Sequence, residues 1–229
     1  KQEEMYVNDV MYLMEESFGI QGKTKVRGNS ISLRFYSTSL KYFFEQFGKD
    51  ARDKRIPEWL LYLPKEKQVE LVLGHCRGDG YFSNGTWQAG TSSKKLALDL
   101  QKIFLRLGII PCFIIQERSG KHIICGRNVE IHDRYILVIN GVNESTEFSK
   151  RLGLRLKKFT WYGFKDGYAL IPIKKIQTHP YTGLVHNLEI QDDESYCAPQ
   201  SYATLHNCWT IANYLECNPI LLIGVDYGY

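Results

Sequence analysis

Apolar and polar residues change their spacing several times along this chain, and each change marks an element. Met5, Val10, Met11, Leu13 and Met14 recur at roughly helical spacing, which predicts a helix over 3–17 stopped at Gly19 and Gly22. Ile31, Leu33 and Phe35 alternate with Ser32, Arg34 and Tyr36, predicting a half-buried strand over 30–36 with a partly basic open face. A short helix runs from Ser39 to Phe47 and closes at Gly48. After the charged run 49–55, Pro57 suits the first turn of a further helix. Residues 65–78 read as a helix that Asp79-Gly80 turns into a strand–loop–strand over 81–91. A helix follows at 93–107, with Leu96, Leu100, Ile103, Phe104 and Leu107 inward and Gly108 as its stop. Strands are predicted at 109–117, about 121–125 and 134–139, then a helix at about 144–152 ending at Gly153.

From about residue 167 short strand-like runs dominate (168–176, 185–190 and 195–198), which sets a domain boundary near 160–167. Residues 66–152 read helix, strands, helix, strands, helix. Residues 3–47 read helix, strand, helix, like the latter part of the same unit without its opening helix.

Charge divides the chain in the same place. Residues 1–166 carry 27 Lys and Arg against 19 Asp and Glu, net +8, and residues 167–229 carry 2 against 6, net −4. A basic first part suits a polyanionic partner, which the acidic remainder does not share. At 229 residues and 44% hydrophobic, the chain is long enough for one or two packed cores. No apolar run predicts a membrane span, and Lys1-Gln2-Glu3-Glu4 does not look like a secretory signal. The six cysteines form no C-x-x-C pair, so reduced thiols in a cytoplasmic protein are the expectation, and the missing initial Met suggests a fragment.

Two segments carry specific chemistry. In Val72-Leu73-Gly74-His75-Cys76-Arg77-Gly78-Asp79-Gly80, two glycines four apart on one helix face let a partner helix approach closely. They cost roughly 1 kcal/mol each in helix propensity. Asp79 stands where the helix ends. This stretch resembles the LAGLIDADG motif of homing endonucleases at Gly74, Asp79 and Gly80. Lys54-Arg55-Ile56-Pro57-Glu58-Trp59-Leu60 resembles the basic block before the second motif of intein endonucleases, and Ser93–Ala97 with Leu105–Ile109 resembles the helix after it.

The resemblance covers about residues 1–158. It implies an α+β domain of αββαββα type in which two motif helices pack about a pseudo-twofold axis. It implies Mg²⁺-dependent hydrolysis of one phosphodiester in each strand of double-stranded DNA. Asp79, with Gly78 beside it, would hold the metal; Lys54 would activate water or stabilise phosphate charge; Lys157, with Lys158 next to it, would be the second lysine. Gly74 and Gly78 would pack the helix pair. Lys23, Lys25, Arg27, Arg34, Trp87, Gln88, Arg118, Lys121, Arg127 and Arg134 would contact DNA from the open sheet faces. Arg77 departs from the motif, which usually has an acid there, and the other motif would lie before residue 1.

The second segment is Leu205-His206-Asn207-Cys208. It follows Val185–Ile190 and Asp192-Asp193-Glu194-Ser195-Tyr196, and together these resemble the C-terminal blocks of inteins. The resemblance implies the C-terminal part of an all-β Hint splicing domain over 167–207. Asn207 would cyclise on its own carbonyl and break the chain, His206 would donate the proton, and Cys208 would be the next nucleophile. Asn187 and Glu194 depart from residues frequent in those blocks. The N-terminal intein half and the N-extein are the missing partners. Residues 208–229 would be host protein, resembling the α/β segment of pterin-pyrophosphokinase-like or sialyltransferase-like proteins. Two other readings stay open: a LAGLIDADG-fold nucleic-acid binder without cleavage activity, and a fragment of an α/β transferase.

Overall fold

In the computed structural model the described residues are 2–28, 30–83, 85–124, 126–139, 151, 162–165, 168–180, 182, 195–197 and 204–206. They fall in two compact units, Lys1–Trp161 and Tyr162–Tyr229.

The first unit begins with α1 (Gln2–Phe18), the hairpin of β1 (Lys23–Arg27) and β2 (Ser30–Arg34), and α2 (Thr38–Glu45). The hydrophobic pattern predicts only one strand here. β1 escapes it because Lys-Thr-Lys-Val-Arg has no apolar alternation and every residue is exposed. Its pairing comes from the chain reversal at Gly28, whose φ of 55° favours glycine. α2 begins at the N-cap Ser37, whose hydroxyl accepts from the Leu40 amide. Phe18, Phe43, Phe44 and Phe47 form a chain of tilted and edge-on ring contacts around the α1–α2 junction.

The short α3 (Glu58–Leu61) follows Pro57, then α4 (Lys65–Asp79), β3 (Gly80–Ser83), β4 (Thr86–Thr91) and α5 (Lys94–Arg106). β5 (Cys112–Gln116), β6 (Gly120–Ile124), β7 (Arg127–Ile131) and β8 (Arg134–Ile139) complete the unit's described strands. The strands expected from the hydrophobic pattern leave out β7; its Asn128, Val129 and Glu130 are exposed, Ile131 is half-buried, and hairpin pairing with β6 forms it. The predicted helix at 144–152 lies outside the described residues except for Arg151.

An antiparallel four-stranded sheet, in the order β3-β4-β8-β5, carries α4 and α5 on one face. Strand alternation decides which residues meet the helices. Trp87 and Ala89 of β4, with Leu137 and Ile139 of β8, join Val72, Leu73 and Cys76 of α4 and Leu96, Leu100, Ile103 and Phe104 of α5 in one core. Gln68 ties three elements together. Its Nε2 donates to the Leu60 and Leu61 carbonyls at 3.2 and 2.8 Å, and its Oε1 accepts from Arg106 Nε at 3.0 Å. That satisfies a fully buried amide.

The second unit shows two hairpins: β9 (Gly163–Lys165) with β10 (Tyr168–Leu170), and β11 (Ser195–Cys197) with β12 (Thr204–His206). The strand predicted over 168–176 stops at Leu170; residues 171–180 have no regular secondary structure, and Ile171, Ile173 and Ile176 are exposed. The run predicted at 185–190 lies outside the described residues. No helix among the described residues is long and apolar enough to cross a membrane.

Candidate functional site

α4 delivers Asp79, exposed, to the point where helix becomes strand. Gly80, the next residue, fits because it lacks a side chain. A Cβ there would run into the Trp87 indole and the Cys76 carbonyl. The indole beneath Gly80 therefore sets how the chain leaves α4.

His75 lies one turn before Asp79, a spacing that puts both on one helix face. Burial, the largest influence, holds the His75 imidazole below its ordinary pKa; nearby Asp79 opposes this and nearby Lys54 adds to it. Lys54 and Asp79 thus act electrostatically on one imidazole. Nothing in the motif marks His75, although its four-residue spacing from Asp79 is legible in the sequence. Arg77 is two residues from Asp79, about 200° round the helix, so it points away from that face. As a cation in the last turn of α4 it also faces the favourable end of the helix dipole.

Long-range hydrogen bonds fix the Lys54 segment. The Lys54 carbonyl accepts from the hydroxyl of Ser93, the N-cap of α5. The Ile56 amide donates to the buried carboxylate of Asp99 at 3.0 Å, and Lys95 pairs with the same group. The Lys54 side chain itself is exposed.

Gly74 and Gly78 are exposed, and a Cβ at either would meet open space. Among the described residues no group of three His, Cys, Asp or Glu could hold a metal.

Two other surfaces carry exposed polar and basic residues. On the β1–β2 hairpin the register pairs Lys23 with Arg34, Lys25 with Ser32 and Arg27 with Ser30. Alternation then puts Lys23, Lys25, Arg27 and Arg34 on one face. All four are exposed, and none has an ion-pair partner among the described residues. Lys23 Nζ lies 6.0 Å from the Tyr36 ring centroid.

On the four-stranded sheet, the face away from the helices presents Tyr81, Gln88, Ile114, Gln116 and Arg134, all exposed. Trp87 is a correction. Expected on this open face, it is 1% exposed on the opposite one, with its ring centroid 5.7 Å from that of Phe104. Arg118 and Lys121 are exposed, but Lys121 stands opposite Glu130 in the β6–β7 ladder, which offsets its charge. Arg127 lies in β7. The Asp133 carboxylate closes the β5–β6 turn, accepting from the Arg118 and Ser119 amides at 3.0 and 3.1 Å and the Ser119 hydroxyl at 2.7 Å. These bonds, the Ser119 hydroxyl first, hold its pKa below the ordinary carboxylate value.

Lys157, Lys158, Asn187, Glu194, Asn207 and Cys208 lie outside the described residues. The backbone of His206 is paired with Ser195 at the end of the β11–β12 ladder.

Comparison with known proteins bears first on this part of the chain. Residues 66–153 match the LAGLIDADG-like domain. An uncharacterized protein of Methanocaldococcus jannaschii is 34% identical over 218 residues, 91% of this chain and 26% of that protein. An iron-sulfur cluster assembly SufBD family protein of Mycobacterium tuberculosis is 25% identical over 210 residues, 89% of this chain and 23% of that protein. An ATP-dependent DNA helicase of Thermococcus kodakarensis is 29% identical over 164 residues, 66% of this chain and 14% of that protein. The chain spans about a quarter or less of the length of these relatives. A solved structure of the homing endonuclease I-DmoI in complex with DNA and Ca covers 62% of this chain and 64% of that one, at 15% identity and a TM-score of 0.44. Residues 66–153 are thus similar to the LAGLIDADG-like domain, within a mixed α/β fold.

Proposed function

We propose that residues 1–160 form a site-specific, Mg²⁺-dependent endonuclease for double-stranded DNA centred on Asp79. The observation that carries this reading is the exposed Asp79 carboxylate at the end of the glycine-faced helix α4, with His75 one turn before it and Lys54 acting on the same imidazole. Asp79 and a main-chain oxygen at Gly78 are hard oxygen donors that suit Mg²⁺. The ion would supply Lewis-acid stabilisation of charge at a scissile phosphodiester.

The residues of this chain do the rest. Lys54 offers a positive charge to the phosphate. The Lys23, Lys25, Arg27 and Arg34 face binds the DNA backbone, where such contacts position without reading sequence. Gln88 and Arg134, and on the hairpin side Arg118, Lys121 and Arg127, extend that contact. The open strip at Gly74 and Gly78 receives a second motif helix that completes the donor set.

We further propose that residues 167–207 are a C-terminal intein splicing segment, with Asn207 cyclising, His206 donating the proton and Cys208 as the following nucleophile. Relatives named for iron–sulfur cluster assembly and for a DNA helicase match 89% and 66% of this chain, and those matches occupy 23% and 14% of their lengths. One stretch recurring within otherwise different proteins supports an inserted element.

Incubation of the full chain with supercoiled plasmid carrying candidate target sites and Mg²⁺ tests the first proposal. Linear or nicked product that EDTA abolishes is expected, and specific retention of DNA without any cleavage would instead make the protein a binder. Intact mass after incubation tests the second: no loss of the 208–229 peptide over days rejects cleavage at Asn207.

A further inference from the structure

We infer that Ser195 is the positioning residue for His206: its hydroxyl accepts from one imidazole N–H and so holds the ring as proton donor to the bond after Asn207. This rests on the splicing-segment reading above and concerns how that cleavage is driven.

β11 and β12 form an antiparallel ladder with Ser195 opposite His206, Tyr196 opposite Leu205 and Cys197 opposite Thr204. Strand alternation divides these residues between two faces. Ser195, Cys197, Thr204 and His206 share one, and Tyr196 and Leu205 share the other. Every residue of the first face carries a hydrogen-bonding or ionisable group. Cys197, on that face, is exposed and a free thiol. The register thus brings an imidazole, two hydroxyls and a thiol to one face.

Ser195 and His206 form the end rung, and the Asn207-Cys208 peptide follows in sequence directly after it. Residues directly opposite in an antiparallel ladder keep their Cβ atoms about 4.5–5.5 Å apart. A serine hydroxyl can span that gap to an imidazole nitrogen with one hydrogen bond. Thr204 stands two residues back on the same strand, roughly 6.8 Å along it. Tyr196 and Cys197 are the titratable residues of β11, the first on the opposite face and the second diagonal to His206. Asp192, Asp193 and Glu194 precede β11 in sequence. Thiol sulfur is a weak acceptor. Ser195 is therefore the partner that the register favours.

The cleavage moves one proton. The Asn207 side-chain nitrogen bonds to its own main-chain carbonyl carbon, a succinimide closes, and the bond to the Cys208 nitrogen breaks. The attacking amide gives up a proton and the leaving nitrogen gains one. An imidazolium carries N–H on both ring nitrogens. A hydroxyl that accepts from one favours the charged form and restrains the ring. The other N–H is then free to supply the leaving nitrogen.

The experiment incubates the full chain between about pH 5.5 and 8.5, a range that spans the ordinary imidazole pKa. Release of the 208–229 peptide is followed by intact mass. The rate for the unchanged protein should fall as pH rises through the His206 pKa. Ser195→Ala should slow release roughly ten- to hundredfold at neutral pH, the effect of losing one hydrogen bond to a charged group. Its decline should also set in at lower pH, because the charged imidazole has lost an acceptor. Ser195→Thr should restore most of the rate, and Thr204→Ala should leave it unchanged. A parent that releases the peptide and a Ser195→Ala variant with the same rate and profile overturn the inference while leaving cleavage at Asn207 in place. Slower release with an unshifted profile and no recovery in Ser195→Thr assigns Ser195 a merely structural role and also overturns it. A parent that releases no peptide at any pH overturns both.

Discussion

Ser93 and Lys54 are joined across 39 positions of the chain: the Ser93 hydroxyl donates to the Lys54 carbonyl and accepts from the Leu96 amide. One buried side chain therefore caps α5 and anchors the segment that carries Lys54. Ser93→Ala should cost about 1 kcal/mol for the lost cap and a further 1–3 kcal/mol for the carbonyl left without its partner. Urea unfolding measures the loss. Ser93→Thr should recover part of it, since its hydroxyl can fill both roles.

Asp79→Asn keeps the shape of the helix end and removes its negative charge. DNA cleavage should fall by on the order of a hundredfold or more, if several kcal/mol of charge stabilisation at the phosphate is lost. DNA retention in EDTA should be unchanged or slightly stronger, because one repulsive charge against phosphate has gone. Undiminished cleavage by this variant would exclude Asp79 from the chemistry.

Gly80→Ala places a methyl group against the Trp87 indole and the Cys76 carbonyl. Both belong to the packed core, so neither can yield cheaply, and overpacking of this kind costs roughly 1–3 kcal/mol. Thermal unfolding should show the loss. Pairing it with Trp87→Phe, which shortens the opposing ring, should give less than the sum of the two single effects.

His75 makes stability depend on pH. Its folded pKa lies below the ordinary value of 6.5, through burial first and Lys54 second, against the opposing pull of Asp79. The unfolded chain then binds the extra proton, so native stability falls as pH drops below about 6.5, by up to roughly 1.4 kcal/mol per pH unit for one proton. His75→Gln should flatten the denaturation midpoint against pH over that range. An identical slope in the variant would assign the dependence to other groups.

The local pattern of residues already specified much of this molecule. Apolar spacing and the stop at Gly108 define α5 almost to the residue, because an amphipathic stripe and its terminator are encoded within a few turns. The Asp79-Gly80 reversal and the glycine-faced helix before it were legible for the same reason. Three features were decided only by tertiary structure. β1 carries no apolar alternation and β7 only the short one of Val129 and Ile131, and antiparallel pairing makes them strands. Alternation in β4 shows that Trp87 and Ala89 share a face, but it cannot show that α4 and α5 cover that face; hence Trp87 is core rather than DNA contact. The anchoring of Lys54 by Ser93 depends on a hydrogen bond between segments tens of residues apart. Periodicity encodes what an element is, whereas sidedness and register arise from which distant surfaces exclude water together.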